Sequence, residues 1–315
     1  MAVFFQYDHL PVFRNPVITI GSFDGVHQGH KAILDQVVQC AKDIGGESIL
    51  VTFDPHPRKI IHPDAHLGLL TSPEQKIRLL QAAGMHHILV VPFTRDFSML
   101  SAEEYMHDFL MAKLHPHTII IGYDHRFGHS REGGIDMLKS QAPPGVLVLE
   151  IPARLIDHAA VSSTKIRKAL TDGDVEDAAL MLGRPYSYQA IVIHGDKIGR
   201  SIGYPTANLQ AVYPDMLIPG IGIYAVMVKF ESRFYQGMMS IGYRPTVTDQ
   251  KTITCEVNLL DFEKDIYGNR LEIYFIKRLR GEEKFDSLDA LSDQITKDEI
   301  ATRSALEQVL IEHLY

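Results

Sequence analysis

The sequence predicts an α/β domain built on a parallel sheet, followed by an antiparallel β domain that ends in a helical segment. Three observations indicate this. Strand-like and helix-like patterns alternate up to about residue 183. Beyond it, short runs rich in Val, Ile and Tyr are separated by Gly, Pro and Asp. Fourteen of the 16 His precede residue 160, whereas ten of the 13 Tyr follow residue 185. For a chain of 315 residues we therefore predict two domains, 1–183 and 184–315.

The elements of the first domain follow one another in a regular order. Helix-spaced apolar residues occupy 32–41, and Ser72-Pro73-Glu74 is typical of a helix start with a cap, a first-turn Pro and an acidic residue. Apolar runs predict strands at residues 17–20, 48–53, 88–91, 118–121 and 146–151. Strands that alternate with helices predict a Rossmann-like parallel sheet with helices on both faces, and ligands bind such sheets beyond the carboxyl ends of the strands.

The second domain has a different sequence pattern. Its predicted strands cover residues 223–230, 234–241, 253–260 and 271–275. This spacing indicates an antiparallel barrel or sandwich. Helical periodicity returns over residues 287–314, which we expect to pack on the β domain.

Composition and charge exclude several classes of protein. The net charge is −8, and no basic surplus indicates a nucleic acid or an anionic membrane as partner. Cys40 and Cys255 form neither a disulfide framework nor a CxxC pair, which fits a reducing cytoplasm. No apolar stretch approaches the roughly 20 residues that span a bilayer, and the N-terminus lacks the pattern of a signal peptide.

A Gly- and His-containing segment, Gly-Ser-Phe-Asp-Gly-Val-His-Gln-Gly-His at residues 21–30, joins the first strand to the first helix. Glycines permit a tight turn there, and a helix N-terminus favours anions. His27 and His30 share one face of the first turn, where imidazoles can donate hydrogen bonds to phosphate. Two surface histidines without a chemical role, or a metal site, remain as alternatives. Neither a Walker A sequence nor a GxGxxG motif is present.

This segment resembles the HxGH signature of nucleotidyltransferases related to class I aminoacyl-tRNA synthetases. With its Phe-Asp-Gly it resembles the adenylyltransferase module of the bifunctional riboflavin kinase/FMN adenylyltransferases, the prokaryotic FAD synthetase family. Residues 52–58, 122–128 and 161–167 are similar to other segments of that module. Residues 195–209, with Pro-Thr-Ala-Asn at 205–208, and residues 254–262 resemble the kinase signatures. The resemblance implies a nucleotidyltransferase domain followed by a riboflavin kinase β-barrel.

The resemblance also implies a chemistry. Riboflavin and ATP would give FMN in the second domain, and FMN and a second ATP would give FAD and pyrophosphate in the first. Glu256 would deprotonate riboflavin, while Thr206 and Asn208 would hold Mg²⁺. His27, His30 and Arg167 would stabilise charge on the phosphates. Further ATP or phosphate contacts are expected from Gly21, Phe23, Asp24, Gly25, Gly29, Asp124, Ser162, Ser163, Gly195, Gly199, Arg200 and Gly203. Arg58 and Arg280 are predicted to contact the flavin.

Three positions depart from the family pattern. Some members have a basic residue where this chain has Ala160, many have His at the position of Asn258, and Asn is frequent at the position of Ser240. Two alternatives accompany the main interpretation. One is a single active adenylyltransferase with another phosphate acceptor, and the other is a flavin-binding regulator with inactive sites. The expected partners are small molecules in the cytoplasm.

Overall fold

A computed structural model describes residues 1–123, 125–152, 161–195, 203–243 and 253–314. Contacts divide the chain into two compact units. The first comprises residues 1–67 and 73–162, and the second comprises residues 68–72 and 163–315. This division concerns contacts alone, so the boundary at residues 183 and 184 stays a prediction about folding domains.

A six-stranded parallel sheet forms the centre of the first unit. Its strands are β1 (Ala2–Phe4), β2 (Pro16–Ile20), β3 (Glu47–Asp54), β4 (His87–Pro92), β5 (Thr118–Gly122) and β6 (Leu147–Ile151). They lie in the order β1-β4-β3-β2-β5-β6, and each pairing is parallel. The predicted parallel sheet is confirmed. Strand β1 was not predicted, because three residues are too few for an apolar pattern to indicate a strand.

Helices cover both faces of this sheet, as predicted. They are α1 (Gln28–Asp43), α2 (Pro57–Ile61), α3 (Pro73–Ala82), α4 (Arg95–Ser98), α5 (Ala102–Glu104), a π-helical segment (Tyr105–Met111), α6 (Ala112–Leu114) and α7 (Ile135–Gln141), with a 3₁₀ turn at His129–Arg131. Leu50 of β3 packs with Leu34 of α1 and Leu80 of α3 on one face. The next residue, Val51, joins the core that contains Phe109 of the π-helical segment on the other. Alternation along a strand buried on both sides therefore creates two apolar cores.

The second unit contains a closed six-stranded barrel. Two helices, α8 (Ser163–Asp172) and α9 (Val175–Leu182), precede it. The strands are β7 (Tyr186–Ile193), β8 (Ala207–Ala211), β9 (Gly222–Phe230), β10 (Arg233–Tyr243), β11 (Ile253–Leu259) and β12 (Arg270–Arg280), in the order β10-β11-β8-β7-β12-β9. Their pairings are antiparallel, and the pairing of β9 with β10 closes the sheet, so the barrel and not the sandwich is confirmed.

The C-terminal helix and the barrel share an apolar cluster. Helix α10 (Leu288–Leu306) and a 3₁₀ turn (Ile311–Leu314) supply Leu306 and Leu314, which pack on Ala225, Met227 and Tyr274. Four tyrosines of the barrel, Tyr186, Tyr188, Tyr224 and Tyr274, are almost fully buried. Strand propensity and burial of these rings explain the tyrosine excess of the second half.

We expect Leu34→Ala to destabilise the first unit by about 2–5 kcal/mol, because the side chain is fully buried and the substitution leaves a cavity beneath α1. Hydrogen exchange of β2 and β3 amides measures the opening free energy of this unit. The matched control is Leu147→Ala in β6, where the leucine is 53% exposed and the expected loss is below about 1 kcal/mol. Equal losses for the two variants would contradict the described core.

Candidate active sites

The turn between β2 and α1 carries a strained backbone. Phe23, Gly25 and Val26 have φ values of 47°, 86° and 40°. Glycine adopts this left-handed conformation readily, whereas a β-branched residue does so at a cost of about 1–3 kcal/mol. Such strain persists only where the surroundings enforce it, and it concentrates at functional sites. All five predicted residues of this segment, Gly21, Phe23, Asp24, Gly25 and Gly29, lie in the turn or in the first turn of α1.

His27 and His30 are brought together at the start of α1. His27 caps the helix, because its Nδ1 accepts the backbone N–H of His30 at 3.3 Å. The two rings are stacked with their centroids 3.6 Å apart, and Phe23 packs against His30 at 4.9 Å. Among the described residues no group of three His, Cys, Asp or Glu side chains could hold a metal.

The protonation of His30 follows from its surroundings. Its Nδ1 is buried and has no hydrogen-bond partner among the described residues. Burial, then the neighbouring His27, then the charge of Lys76 hold the pKa of His30 well below its ordinary value of 6.5. The ligand-free imidazole is consequently neutral at pH 7 and donates a single N–H.

Lys76 of α3 belongs to the same site, and the sequence did not single it out. Its side chain is buried, and Nζ donates to the Phe53 carbonyl at 3.0 Å, the Thr52 hydroxyl at 3.2 Å and the Ser22 carbonyl at 3.4 Å. Burial lowers the pKa of Lys76, while the charges of Asp24 and Asp54 act in the opposite direction. Its position four residues before the buried Leu80 was a usable signal, because residues at that spacing share a helix face.

The remaining residues predicted for the adenylyltransferase module lie outside the β2–α1 turn and α3. Helix α8 begins at Ser163, directly after Ser162, and Arg167 donates from Nε to the Gly68 carbonyl at 2.8 Å. Arg58 is exposed on α2. Phosphate contacts of the two serines and Arg167, and a flavin contact of Arg58, stay predictions. Asp124 and Ala160 lie outside the described residues.

The second unit brings together the three residues predicted for kinase chemistry. The Thr206 hydroxyl donates to Glu256 Oε2 at 2.7 Å. Asn208 stands opposite Glu256 in the antiparallel pairing of β8 with β11, so their side chains share a face. A hydroxyl, an amide and a carboxylate therefore meet at one place, although Asn208 lies in a strand and not in the Gly-rich loop.

Neighbouring residues hold this cluster in place. The amide of Asn258, two residues after Glu256 on the same face of β11, donates to the Pro205 carbonyl at 2.7 Å. Asn258 thus fixes the turn that presents Thr206. Gly195 passes so close to Asn208 that any side chain at residue 195 would overlap the amide. Gly203 has a φ of 83°, which suits glycine, whereas Gly199 and Arg200 lie outside the described residues.

A cavity of about 520 Å³ is bordered by residues of β10, β12 and α10. It is lined by Ile223, Ser240, Arg280, Glu282, Glu283, Phe285, Asp286, Ser287, Leu288 and Leu291. Ser240 stands opposite Glu256 in the pairing of β10 with β11, so one wall of the cavity lies beside Glu256. The volume suits a small-molecule ligand.

Arg280 borders this cavity, and its guanidinium group is hydrogen-bonded within the protein. Its Nε and Nη2 donate to the buried carboxylate of Asp298 at 2.8–3.1 Å, and the Phe285 ring lies 5.7 Å from the guanidinium carbon. Because Asp298 is on α10, this ion pair attaches the helix to β12 at the cavity wall. A flavin contact of Arg280 stays a prediction.

Comparisons with known proteins match the two parts of the chain to two enzyme families. A family model described as FAD synthetase matches residues 11–165, and one described as riboflavin kinase matches residues 182–306. A bifunctional riboflavin kinase/FMN adenylyltransferase of Listeria monocytogenes is 38% identical over 291 residues, which cover 92% of each chain. The protein of the same name from Buchnera aphidicola is 36% identical and covers 90% of this chain and 91% of its own.

Solved structures add a match over nearly the whole chain. A crystal structure described as a macrolide-efflux protein from Streptococcus pneumoniae superimposes with a TM-score of 0.85 at 32% identity, covering 96% of this chain and 98% of that one. Within the described ranges, no helix of this chain has both the length and the apolar character needed to cross a membrane.

We expect the His30 imidazole to titrate well below pH 6.5 in the folded, ligand-free protein, and at about 6.5 after unfolding in urea. Because the unfolded chain then binds the proton more readily, the first unit loses stability as the pH falls below about 6.5. NMR titration of the imidazole resonance, assigned with His30→Ala, measures both states. Added pyrophosphate should raise the folded midpoint, since an anion favours the imidazolium. A folded midpoint at or above 6.5 would contradict the described burial.

Proposed function

Because this chain belongs to the family of bifunctional riboflavin kinase/FMN adenylyltransferases, we propose that its kinase reaction occurs at Glu256 and its adenylyltransferase reaction at His27 and His30. The chain phosphorylates riboflavin to FMN and adenylylates FMN to FAD, with ATP as the donor in both steps. The placement of each reaction on named residues is our inference from the geometry.

One observation carries the kinase assignment: Glu256 has metal-compatible side chains on one side and the edge of a cavity on the other. Thr206 and Asn208 adjoin it across β8, and Ser240 adjoins it across β10. We propose that the isoalloxazine ring binds in this cavity with the 5′-hydroxyl of riboflavin directed toward the carboxylate. Glu256 accepts the hydroxyl proton, the oxygen attacks the γ-phosphorus, and the bond to ADP breaks.

The residues beside Glu256 fit a magnesium ion. The Thr206 hydroxyl, the Asn208 amide oxygen and the Glu256 carboxylate are hard oxygen donors, and Thr206 keeps oxygen lone pairs while it donates its proton to Glu256. We propose that Thr206 and Asn208 hold Mg²⁺ together with the ATP phosphates, while the Glu256 carboxylate beside them serves as the base. When bound, the ion would neutralise the charge of the transferring phosphoryl group.

The adenylyltransferase step needs a different arrangement. An FMN phosphate oxygen attacks the α-phosphorus of ATP, and the bond to pyrophosphate breaks. The phosphate is already anionic, so no general base is required. The His27 and His30 imidazoles, at a helix N-terminus, supply N–H groups for the charge that gathers on pyrophosphate. Ser162, Ser163 and Arg167 are proposed as additional phosphate contacts, and Arg58 as a flavin contact.

Residue content supports an intracellular setting for these reactions. Both cysteines, Cys40 and Cys255, are unpaired thiols. Free thiols persist in the reducing cytoplasm. We therefore propose a cytoplasmic enzyme.

Asn208→Ala should raise the Mg²⁺ concentration required for half-maximal FMN formation by about tenfold or more, because it removes an oxygen ligand. The matched control is Gln210→Ala, two residues further along β8 at an exposed position. Assays of riboflavin phosphorylation across a Mg²⁺ series give the comparison. An unchanged Mg²⁺ requirement in Asn208→Ala would remove this residue from the metal site.

Glu256→Gln should reduce FMN formation by about 100-fold or more and leave FMN-to-FAD conversion nearly intact. His30→Ala should do the reverse, with a loss of about 100-fold in FAD formation. Chromatography of flavins after incubation with riboflavin or FMN and Mg-ATP separates the two effects. Glu263→Gln and His9→Ala, at exposed positions of the same units, serve as controls.

Two outcomes would refute the assignment. Equal impairment of both steps by each variant would show that the two reactions do not use separate sites. Ligand binding without turnover by the wild-type protein would instead favour the flavin-binding regulator.

A further inference from the structure

A buried lysine lies beneath the phosphate-binding turn of the first unit. Lys76 is 9% exposed and lies in the first turn of α3. A cation in that turn opposes the helix dipole, and burial of an ammonium group is costly unless it is fully hydrogen-bonded. Packing alone gives no reason for a charged residue at this place, where leucine or methionine would fill the space.

The surroundings of Nζ are those of a charged ammonium group. Its three neighbours are the Ser22 carbonyl, the Phe53 carbonyl and the Thr52 hydroxyl, and that hydroxyl gives its own proton to Ser22 at 3.0 Å. All three therefore accept hydrogen bonds from Lys76. A neutral amine would leave its lone pair without a donor, so the site is built for the cation.

These contacts join the two strand ends that form the site. Ser22 follows β2, and Thr52 and Phe53 lie at the end of β3. The Ser22 carbonyl accepts hydrogen bonds from both Lys76 and Thr52. The next residue, Phe23, is where the backbone becomes left-handed. Lys76 thus holds the start of the strained turn from which α1, with His27 and His30, emerges.

The charge of Lys76 also acts on the catalytic histidine. Lys76 and His27 are the charged or titratable groups that lower the pKa of His30, whereas Asp24 and Asp54 act on Lys76 itself. In a buried setting such a charge is screened little, so it also acts on an anion bound at the start of α1.

We propose that Lys76 is a positioning residue for adenylyl transfer, which holds the Ser22–Val26 turn and supplies fixed positive charge to the triphosphate of ATP. The proposal rests on the placement of this reaction at His27 and His30. No proton or group passes through Lys76, because its three hydrogen bonds are to the protein.

The test uses full-length Lys76→Met and Lys76→Gln. Methionine keeps most of the volume, and glutamine keeps donors without the charge, so it replaces methionine if that variant does not fold. Lys139→Met, at an exposed position of α7 in the same unit, is the matched control. Riboflavin phosphorylation by the same chain reports that the protein is folded.

In both Lys76 variants we expect the KM for ATP in FAD formation to rise about tenfold or more, and kcat to fall by about 10-fold to 100-fold. FMN formation should stay within twofold of wild type. The NMR titration midpoint of His30 should move upward, because a neighbouring cation has been removed. Removal of the charge should shift the midpoint by the same amount in both variants, whereas a change in the burial of His30 would differ between them.

A folded Lys76 variant with FAD formation within threefold of wild type would overturn the proposal. So would lost FAD formation with an unchanged His30 midpoint, which would indicate a structural residue only. His30→Ala distinguishes a failure of the proposed site from a failure of the role of Lys76. If that variant makes FAD normally, the proposed site is wrong; if it is inactive while Lys76→Gln is active, only the role of Lys76 fails.

Discussion

The antiparallel register of β8, β11 and β10 places the reactive carboxylate of the second unit. Glu256 stands opposite Asn208 on one side and Ser240 on the other. Side chains alternate along a strand, so a slip of one residue would replace Glu256 with Cys255 or Val257 at this position. The first unit obeys a similar rule, because its reactive groups follow the carboxyl ends of parallel strands. Strand pairing therefore places the residues that we propose for both reactions, and side-chain hydrogen bonds orient them.

The two proposed sites differ in the charge of the side chains that face the substrate. Riboflavin presents a neutral hydroxyl, which needs a carboxylate such as Glu256 to accept its proton. FMN presents an anionic phosphate, which a nearby carboxylate would repel. The first unit instead places the neutral imidazole of His30 and the buried cation of Lys76 at its turn, where the charge of Lys76 opposes that of Asp24. One pocket could not serve both steps well, and this conflict gives a physical reason for two sites in one chain.

The sequence predicted the fold class and singled out most of the residues that we propose for the two sites, because apolar periodicity and ordered motifs are local properties. The proximity of Thr206, Asn208 and Glu256 could be expected from their motifs, whereas the hydrogen bond between Thr206 and Glu256 could not. Lys76 was missed because a lysine in an amphipathic helix is ordinarily exposed, and its burial depends on strands distant in sequence.

Long-range pairing also explains other differences. Asn258, first noted as a departure from the family pattern, holds the Pro205 carbonyl from 53 residues away. The partner of Arg280, Asp298, lies on a helix whose docking no local pattern specifies. In each case the contact depends on tertiary packing, which propensity and spacing do not encode.

The central claim is that the two reactions use separate residues, Glu256 for FMN formation and His30 for FAD formation. Mixing the Glu256→Gln and His30→Ala chains with riboflavin and Mg-ATP tests it most directly. The first chain alone should leave riboflavin unchanged, and the second alone should stop at FMN. We predict that the mixture forms FAD, because FMN released by one chain is adenylylated by the other. FMN that accumulates in the mixture without FAD would contradict the claim.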